Sequence, residues 1–414
     1  MIKMLHLADL HIGVENYGQI DPESGMHTRL LDYLARFDEA IALGLEAGIE
    51  LVLIAGDIYK NRTPNPTHQR EFARRIHRLR SAGVEVFILT GNHDISPSAG
   101  KAHSVEIFEA LGVEGVTIAD RPKIHMLRLR SGPLQIVALP WVTRHTLLTR
   151  DELRNAGFGE IEAELRRRLD RFVSDAAERV DPSIPTVLTF HGTVDGATLG
   201  SERSITLGSD LALSRATLAQ PVFDYGALGH IHKHQVIGDR PPLVYPGSLE
   251  RVDFGEEAEA KGCVLVELVR GATRWQFHEL AARPFVTIAL DLTPSSDPQE
   301  RVAAAIVRHN LRDAVVRLEL QASREQAVLL NEETMRQQLR EAGAFVVAAI
   351  NIVVERTARR RLAGADELLE GLTPRKALEL FLRSKQPPLD PARIAALLAA
   401  ADELLAEGRP VGEA

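Results

Sequence analysis

The fold of this chain is decided by the stretch VFILTGNHD, residues 86–94. The apolar run Val86–Leu89, rich in β-branched and aromatic side chains and closed by a glycine turn, predicts a buried strand. The turn places Asn92, His93 and Asp94 at the carboxyl end of that strand, where ligands bind in open α/β sheets. An ordinary polar loop has the same composition, so the interpretation depends on what the other strand ends carry.

Length and composition indicate an ordinary globular protein of two or three domains. The chain has 414 residues, of which 45% are hydrophobic and 26% charged, with a net charge of -8. This charge argues against binding of polyanions through overall charge, but it allows a local basic groove or bound metal ions. The single cysteine, Cys263, excludes an intramolecular disulfide and a cysteine-based zinc site, and we expect it in the core.

No targeting or membrane signal is visible in the sequence. The chain starts with MIKMLHLAD, which lacks the long apolar run of a signal peptide. No stretch has the length and apolar character of a membrane span. We therefore expect a cytoplasmic protein with no membrane partner.

The N-terminal part of the chain alternates between strand and helix patterns. Short apolar strands are predicted at Ile2–Ala8, Leu51–Ala55 and Val84–Leu89. Helical periodicity lies between them, around Leu30–Leu45 and Pro66–Arg80. This β-α-β-α-β order predicts a layered α/β sheet.

From about residue 116 the predicted strands become shorter, which indicates a second sheet. A charged helix is expected within this part, at about Glu160–Glu178. Strands near Val264 and Trp275 are expected to complete the sheet. Its other expected strands are Lys123–Arg130, Leu134–Leu139, Thr186–Phe190 and Tyr225–Leu228.

Arg283-Pro284 marks a predicted domain boundary, which makes residues 1–282 the core domain. Residues 283–358 alternate between strand and helix patterns without a metal-type cluster, which predicts a small α+β domain. Residues 359–414 contain a basic linker and two helices, each starting with a capping residue followed by proline. Their apolar faces pack either on the chain's own core or on a partner.

Several predicted strands end in polar residues of the ligand type. This nitrogen and oxygen donor set suits Mn²⁺, Zn²⁺ or Fe²⁺ and lacks the thiolates of structural zinc sites. A histidine taken singly is usually a structural residue, but the repetition at so many strand ends predicts a metal site. The set is too large for one tetrahedral ion and suits two ions that share a carboxylate, as in displacement at phosphorus, with Asp57 as the natural bridge. The residues are Asp9, His11, Asp57, Asn92, His93, His191, His230 and His232.

Together these motifs resemble the calcineurin-like metallophosphoesterases. The resemblance implies a two-layer β-sandwich flanked by helices over about residues 1–279. It implies that Asp9, His11, Asp57 and His232 hold one metal ion, and that Asp57, Asn92, His191 and His230 hold the other. The matching motifs, in the family's order, are Asp9-Leu10-His11, Gly56-Asp57, Gly91-Asn92-His93-Asp94, His191 and Gly229-His230-Ile231-His232.

The resemblance also implies roles for the two residues after Asn92. His93 matches the family's catalytic histidine, which would stabilise the phosphoryl transition state and protonate the leaving alkoxide. Asp94 is expected to orient the His93 imidazole, as a carboxylate does for a catalytic base. Several relatives have a second histidine three residues after the bridging aspartate, where this chain has Lys60, so no role is carried over from that histidine.

More particular features resemble the SbcD-type nuclease subunits, relatives of the double-strand-break repair nucleases. They are the GDIY form of residues 56–59, the segment Tyr245–Arg251, the small domain and the terminal helices. The resemblance implies a Mn²⁺-dependent DNA exonuclease and endonuclease that acts on double-stranded ends and hairpins in DNA repair, recombination and replication. It also implies that the small domain caps the core and contacts DNA, that the C-terminal helix-loop-helix binds an SbcC-like ABC ATPase, and that homodimers form through helices around Phe72–Leu79 and Val105–Leu111.

The remaining histidines and basic residues near the motifs are interpreted as ordinary. With no visible basic patch, DNA binding rests on the resemblance and on attraction between metal ions and phosphates. Structural roles are expected for His6, His68, His103 and His234, and solvated surface positions for Arg62, Lys101 and Arg251.

Two other functions stay open at this point. A stand-alone metallophosphatase or small-molecule phosphodiesterase of the same fold would hydrolyse generic phosphodiesters without processive degradation of duplex DNA, and it leaves the terminal helices unexplained. A non-enzymatic scaffold that tethers DNA ends for the ATPase is disfavoured by the complete ligand set.

Overall fold

The structure is a computed structural model that describes residues 1–95, 102–142, 158–200, 211–354, 374–383 and 390–407. In chain order the strands β1–β15 are Ile2–Leu7, Leu51–Ala55, Glu85–Leu89, Val116–Ala119, Lys123–Leu129, Gly132–Leu139, Thr186–His191, Tyr225–Gly229, Gln235–Asp239, Pro242–Tyr245, Gly262–Leu268, Arg274–Glu279, Phe285–Asp291, Val315–Ala322 and Val346–Val354. The helices α1–α10 are Thr28–Ala47, Pro66–Ser81, Glu106–Ala110, Phe158–Arg179, Arg215–Leu218, Pro298–Arg308, Arg324–Leu329, Glu332–Glu341, Pro374–Arg383 and Pro391–Glu407.

Two six-stranded sheets form the body of the N-terminal domain. Their strand orders are β12-β11-β1-β2-β3-β4 and β5-β6-β7-β8-β10-β9. Apolar side chains from both sheets, such as Met4, Phe87, Ile136 and Tyr225, are fully buried in one shared core. The helices α1 and α2 cover the outer face of the first sheet, and α4 covers that of the second. This is the predicted two-layer β-sandwich flanked by helices.

The prediction that the strands near Val264 and Trp275 complete the second sheet was wrong. β11 pairs antiparallel with β1, with Ile2 opposite Leu268, and β12 pairs with β11. These two strands close the edge of β1 that would otherwise present unpaired N–H and C=O groups. Alternating polarity predicts a strand but does not identify its neighbour, and this pairing joins residues far apart in the sequence.

A third sheet, β13-β14-β15, forms the small domain. All of its pairings are parallel, and α6 and α8 pack against it through buried residues such as Val302, Met335 and Leu339. Parallel strands need long crossover connections, and here the helices supply them. The sequence pattern predicted the alternation of strands and helices along this part of the chain. It predicted neither the parallel pairing of the strands nor the short helix α7. The predicted boundary at Arg283-Pro284 falls between β12 and β13, while the limits of the three domains stay a prediction.

The two C-terminal helices contact each other. The Arg375 guanidinium donates to both carboxylate oxygens of Asp402 at 2.9 Å, which places the start of α9 beside the C-terminal half of α10. The predicted linker and Lys101 lie outside the described residues. Among the helices of the described ranges, none combines the length and the apolar character that crossing a membrane requires.

Candidate metal centre

The carboxyl ends of five strands meet at one edge of the sandwich. The strands β1, β2 and β3 run parallel in one sheet, and β7 and β8 run parallel in the other. The loops that follow them therefore converge. Asp9 and His11 follow β1, Asp57 follows β2, Asn92 and His93 follow β3, His191 ends β7, and His230 and His232 follow β8.

One ligand cluster consists of Asp9, His11 and His232, each with a ligand atom within 4.8 Å of the others. The Nε2 atoms of His11 and His232 face each other at 2.9 Å. Both rings and the Asp9 carboxylate are buried. These donors are nitrogen and oxygen atoms that lie close enough together to bind one metal ion.

A second cluster consists of Asp57, His191 and His230, again within 4.8 Å. Asn92 joins it, since its Oδ1 lies 3.1 Å from His191 Nε2 and 3.1 Å from His230 Nδ1. The Asp57 carboxylate also lies 3.8 Å from His11 Nε2, so it stands between the two clusters. The structure thus brings together all seven residues that the sequence predicts as metal ligands, with Asp57 between the two clusters.

The acceptors around His191 fit a bound cation. The His191 Nδ1–H donates to the Ala55 carbonyl at 2.7 Å, so Nε2 is the ring nitrogen that faces the centre. This nitrogen lies 3.1 Å from the amide oxygen of Asn92 and 3.5 Å from a carboxylate oxygen of Asp57, which are both acceptors. Acceptors that converge in this way are stabilised by a positive charge between them, from a proton on Nε2 or from a metal ion, and the carbonyl behind the ring fixes its orientation.

The charges of the two carboxylates support the same conclusion. Burial raises the pKa of Asp9, whereas for Asp57 the neighbouring imidazoles of His191, His93 and His11 outweigh burial and lower the pKa. Burial also opposes a charged His191, yet Asp57 and Asp9 raise the pKa of that ring to about 9. The centre therefore attracts a positive charge, which a proton supplies when no metal ion is bound.

The contacts of His93 and Asp94 differ from the expectation that Asp94 orients the His93 ring. His93 Nδ1–H donates to the Lys60 carbonyl at 2.6 Å, and the His93 backbone N–H donates to Asp57 Oδ1 at 2.8 Å. The buried Asp94 carboxylate instead accepts from the backbone N–H groups of Gly91 and Ile58 at 2.9 and 3.1 Å. Buried backbone N–H groups need an acceptor, and the Asp94 carboxylate supplies one to each loop. It therefore joins the loop after β2 to the loop after β3. Burial, together with the charge of Asp57, raises the pKa of Asp94 to about 7.

Sequence reasoning missed Glu256, which lies on a short 3₁₀ turn at Phe254–Glu256. Its Oε1 accepts from His232 Nδ1–H at 2.6 Å, and its Oε2 lies 2.8 Å from the buried ammonium of Lys261. Burial opposes its charge, but His232 and Lys261 outweigh that effect and lower the pKa of Glu256. No local motif marks Glu256, because it meets His232 only in the folded chain.

Two residues interpreted as solvated surface positions, Arg62 and Arg251, make contacts that differ from expectation, and the exposed Arg62 donates from Nε to the backbone carbonyl of Asn92 at 3.3 Å. His6 is buried between the Tyr225 hydroxyl and the Leu228 carbonyl, and the His234 ring stacks on Phe277. Arg251, expected on the solvated surface, is half-buried and donates to the carbonyl oxygens of Glu259, Arg283 and Ala282 at 2.7, 3.1 and 3.4 Å. It is a structural link between the sandwich and the small domain.

Known proteins with similar sequences were found along most of the chain. The SbcD component of the nuclease SbcCD of Escherichia coli is 25% identical over 279 residues, which is 65% of this chain and 66% of that one. The DNA double-strand break repair protein Mre11 of Haloferax volcanii is 26% identical over 326 residues, covering 78% and 62% of the two chains. The uncharacterized metallophosphoesterase YhaO of Bacillus subtilis is 23% identical over 301 residues, covering 72% and 64%. The matches span slightly less than two thirds of these relatives' own lengths.

The family model for calcineurin-like phosphoesterases matches residues 2–234. That region is more than half of the 414 residues and holds every candidate ligand from Asp9 to His232. The chain belongs to the calcineurin-like phosphoesterase family of metal-dependent hydrolases.

Proposed function

We propose that this chain is a metal-dependent DNA nuclease that processes DNA ends together with an SbcC-like ABC ATPase. The observation that carries the proposal is the pair of ligand clusters that adjoin at Asp57, with His93 beside them. In this proposal the centre holds two divalent ions, most suitably Mn²⁺. Asp9, His11 and His232 would hold one, Asn92, His191 and His230 would hold the other, and Asp57 would serve both.

The chemistry follows from the residues around the centre. Two ions bound there would polarise the phosphodiester and make water a stronger nucleophile. Because Nδ1–H of His93 is committed to the Lys60 carbonyl, Nε2 is the ring nitrogen that carries a proton to the leaving oxygen. Lys60 therefore acts through its backbone, so the absence of the second histidine found in relatives does not affect this contact.

Two observations support DNA as the substrate and a dimer as the assembly. The relative from Haloferax is a DNA double-strand break repair protein by name. Its match covers 78% of 414 residues, about 323, which exceeds the 282 residues of the predicted core, so the similarity to a DNA repair protein includes part of the small domain. Helix α3 and its cap expose Ile107 and Leu111 at 51% and 72%, a surface for a second copy, whereas Phe72 and Leu79 are buried in the chain's own core.

The proposal is tested with the purified full chain, Mn²⁺ and end-labelled duplex and hairpin DNA, with and without the ATPase. We expect Mn²⁺-dependent cleavage of both DNA substrates. His93→Gln is expected to reduce turnover by about 10²–10⁴-fold, the usual contribution of an acid–base group, without loss of Mn²⁺ binding. His77→Gln, at an exposed histidine on α2, is the control and is expected to keep full activity.

Two results would replace the proposal. Rapid hydrolysis of bis(p-nitrophenyl) phosphate with no cleavage of any DNA would favour a stand-alone phosphodiesterase. Binding of DNA ends without hydrolysis of either substrate would favour a tethering scaffold. Full nuclease activity of His93→Gln would remove the catalytic role of that residue.

A further inference from the structure

Glu256 is a buried carboxylate that contacts a candidate metal ligand from outside the family-matched region. It lies 24 residues after His232, beyond residue 234 where the family match ends. Its side chain is fully buried. A buried charge is costly unless its partners compensate it, so the contacts of this carboxylate indicate its role.

The two oxygens of Glu256 have different partners. Oε1 accepts from His232 Nδ1–H at 2.6 Å, so Nε2 is the nitrogen of that ring that faces the centre, 2.9 Å from His11 Nε2. Oε2 accepts from the Val252 backbone N–H at 2.9 Å and lies 2.8 Å from Lys261 Nζ. One oxygen therefore orients the His232 ring, and the other anchors the carboxylate.

Lys261 holds His232 from a second direction. Its fully buried ammonium donates to the His232 carbonyl oxygen at 3.0 Å and to Glu259 Oε2 at 2.8 Å. Glu256 and Lys261 thus fix both the ring and the backbone of His232. A carboxylate behind a metal-binding imidazole orients the ring and increases its basicity.

The turn that carries Glu256 also rests on the small domain. The Phe254 ring packs edge-on against Phe285 with centroids 4.9 Å apart, and the Arg317 guanidinium lies 4.3 Å from the centre of the Phe254 ring. Glu257 accepts from the backbone N–H and the hydroxyl of Thr287 at 2.8 and 2.6 Å. The position of Glu256 is therefore supported from both domains.

We propose that Glu256 is a positioning residue that fixes the His232 ring as a ligand of the metal ion bound with Asp9 and His11. The inference rests on the proposed metal centre and goes beyond it, since it assigns a function to a residue outside the family-matched region. It predicts that Glu256 affects one metal ion and acts only through His232.

The test measures Mn²⁺ binding to the full chain by calorimetry and by electron paramagnetic resonance, which separates coupled ion pairs from single ions. Glu256→Gln keeps the shape of the side chain, and we expect it to weaken one Mn²⁺ site by about 10-fold, with Glu256→Ala nearer to 100-fold, the usual range for residues behind metal ligands. The other site is expected to keep its affinity, and the coupled-pair signal is expected to give way to that of a single ion.

Two controls separate positioning from structural support. Glu250 is equally buried and accepts from the backbone N–H groups of Arg251 and Arg283, with no candidate metal ligand among its described contacts, so Glu250→Gln is expected to leave both Mn²⁺ affinities unchanged. In the His232→Ala background, Glu256→Gln is expected to have no further effect, because the ring through which it acts is gone.

The proposal is overturned if Glu256→Gln binds Mn²⁺ as the unmodified chain does, if it weakens both sites equally, or if its effect persists in the His232→Ala background. These binding measurements need no DNA. Failure of the nuclease proposal, seen as absent DNA cleavage by the unmodified chain, is therefore distinguishable from failure of this one.

Discussion

Four candidate ligands have left-handed backbone conformations, with φ of 52° at Asp9, 43° at His11, 54° at Asp57 and 103° at His230. Such conformations cost residues other than glycine about 1–3 kcal/mol and persist only where surrounding contacts hold them. Here the contacts are mutual, because the His11 N–H donates to the Asp57 carbonyl at 3.1 Å and the His230 N–H donates to the Asp9 carboxylate at 3.0 Å. The ligand loops thus support one another without relying on a bound metal ion alone.

His6 gives a prediction for stability at the scale of a single residue. Burial lowers the pKa of this histidine to about 3, whereas the unfolded chain has an ordinary value near 6.5. Between these values the unfolded state binds the additional proton, so stability is present above pH 6.5 and is lost as the pH falls towards 3. From pH 7 to pH 5 this one group is expected to reduce the free energy of unfolding by about 2 kcal/mol.

The measurement is urea unfolding of the metal-free chain at pH 7 and pH 5, compared with His6→Gln. The variant is expected to be less stable at pH 7, because it loses contacts with Tyr225 and Leu228. It is also expected to lose less stability than the unmodified chain on going to pH 5. An equal loss in both proteins would show that His6 does not titrate as described.

The sequence identified residues whose chemistry is visible in local motifs, and it failed where the folded chain creates the role. All seven ligand candidates end or follow apolar strands, so strand-end reasoning was sufficient to group them. Asp94 also follows a strand, but its role depends on the N–H groups of Gly91 and Ile58, which only the folded loops bring together. The contact of Glu256 with His232 likewise depends on the course of the chain after β10.

At the scale of secondary-structure elements, glycines at the strand ends allow the loops to approach closely. A Cβ atom on Gly91 would overlap the carboxylate oxygen and the backbone nitrogen of Asp57. Gly56 has a φ of 95°, and a Cβ atom there would overlap the His191 ring. The glycines in the motifs of this centre therefore make room for neighbouring ligands.

Gly91→Ala is accordingly expected to displace Asp57 and to weaken Mn²⁺ binding at both sites by at least about 10-fold, since both depend on this carboxylate. Calorimetric titration with Mn²⁺ measures the effect. Gly159→Ala, where an added Cβ atom meets nothing within 4 Å, is the matched control and is expected to bind Mn²⁺ normally. Intact binding at either site in Gly91→Ala would contradict the shared role of Asp57.

At the scale of the whole molecule, a network of charges joins the sandwich to the small domain. The Arg283 guanidinium forms hydrogen bonds to both carboxylate oxygens of Asp32 at 2.6 and 2.7 Å, and the fully buried Arg29 pairs with the same carboxylate at 2.8 Å. Arg283 also lies over the ring of Phe345, 3.6 Å from its centre. The sequence predicts a boundary at Arg283-Pro284 but gives no sign that Arg283 and Arg251 contact both sides of it.

The C-terminal helix pair gives a prediction about assembly, which rests on the proposed function. Between the hydrogen-bonded ends at Arg375 and Asp402, the pair exposes Phe381 and Leu397 at 55% and 42%, while Leu382 and Leu398 are buried. An exposed aromatic side chain and an exposed leucine on the same helix pair are suitable anchors for a partner. We therefore expect Phe381→Asp combined with Leu397→Asp to abolish co-purification of the SbcC-like ATPase, because charges would be buried in the contact.

Hydrolysis of bis(p-nitrophenyl) phosphate with Mn²⁺ is expected to stay unchanged, because the candidate metal centre lies in the sandwich. Arg393→Asp, at an exposed residue of α10, serves as the control and is expected to retain the ATPase. Retention of the ATPase by the double variant would show that these two side chains do not anchor the partner.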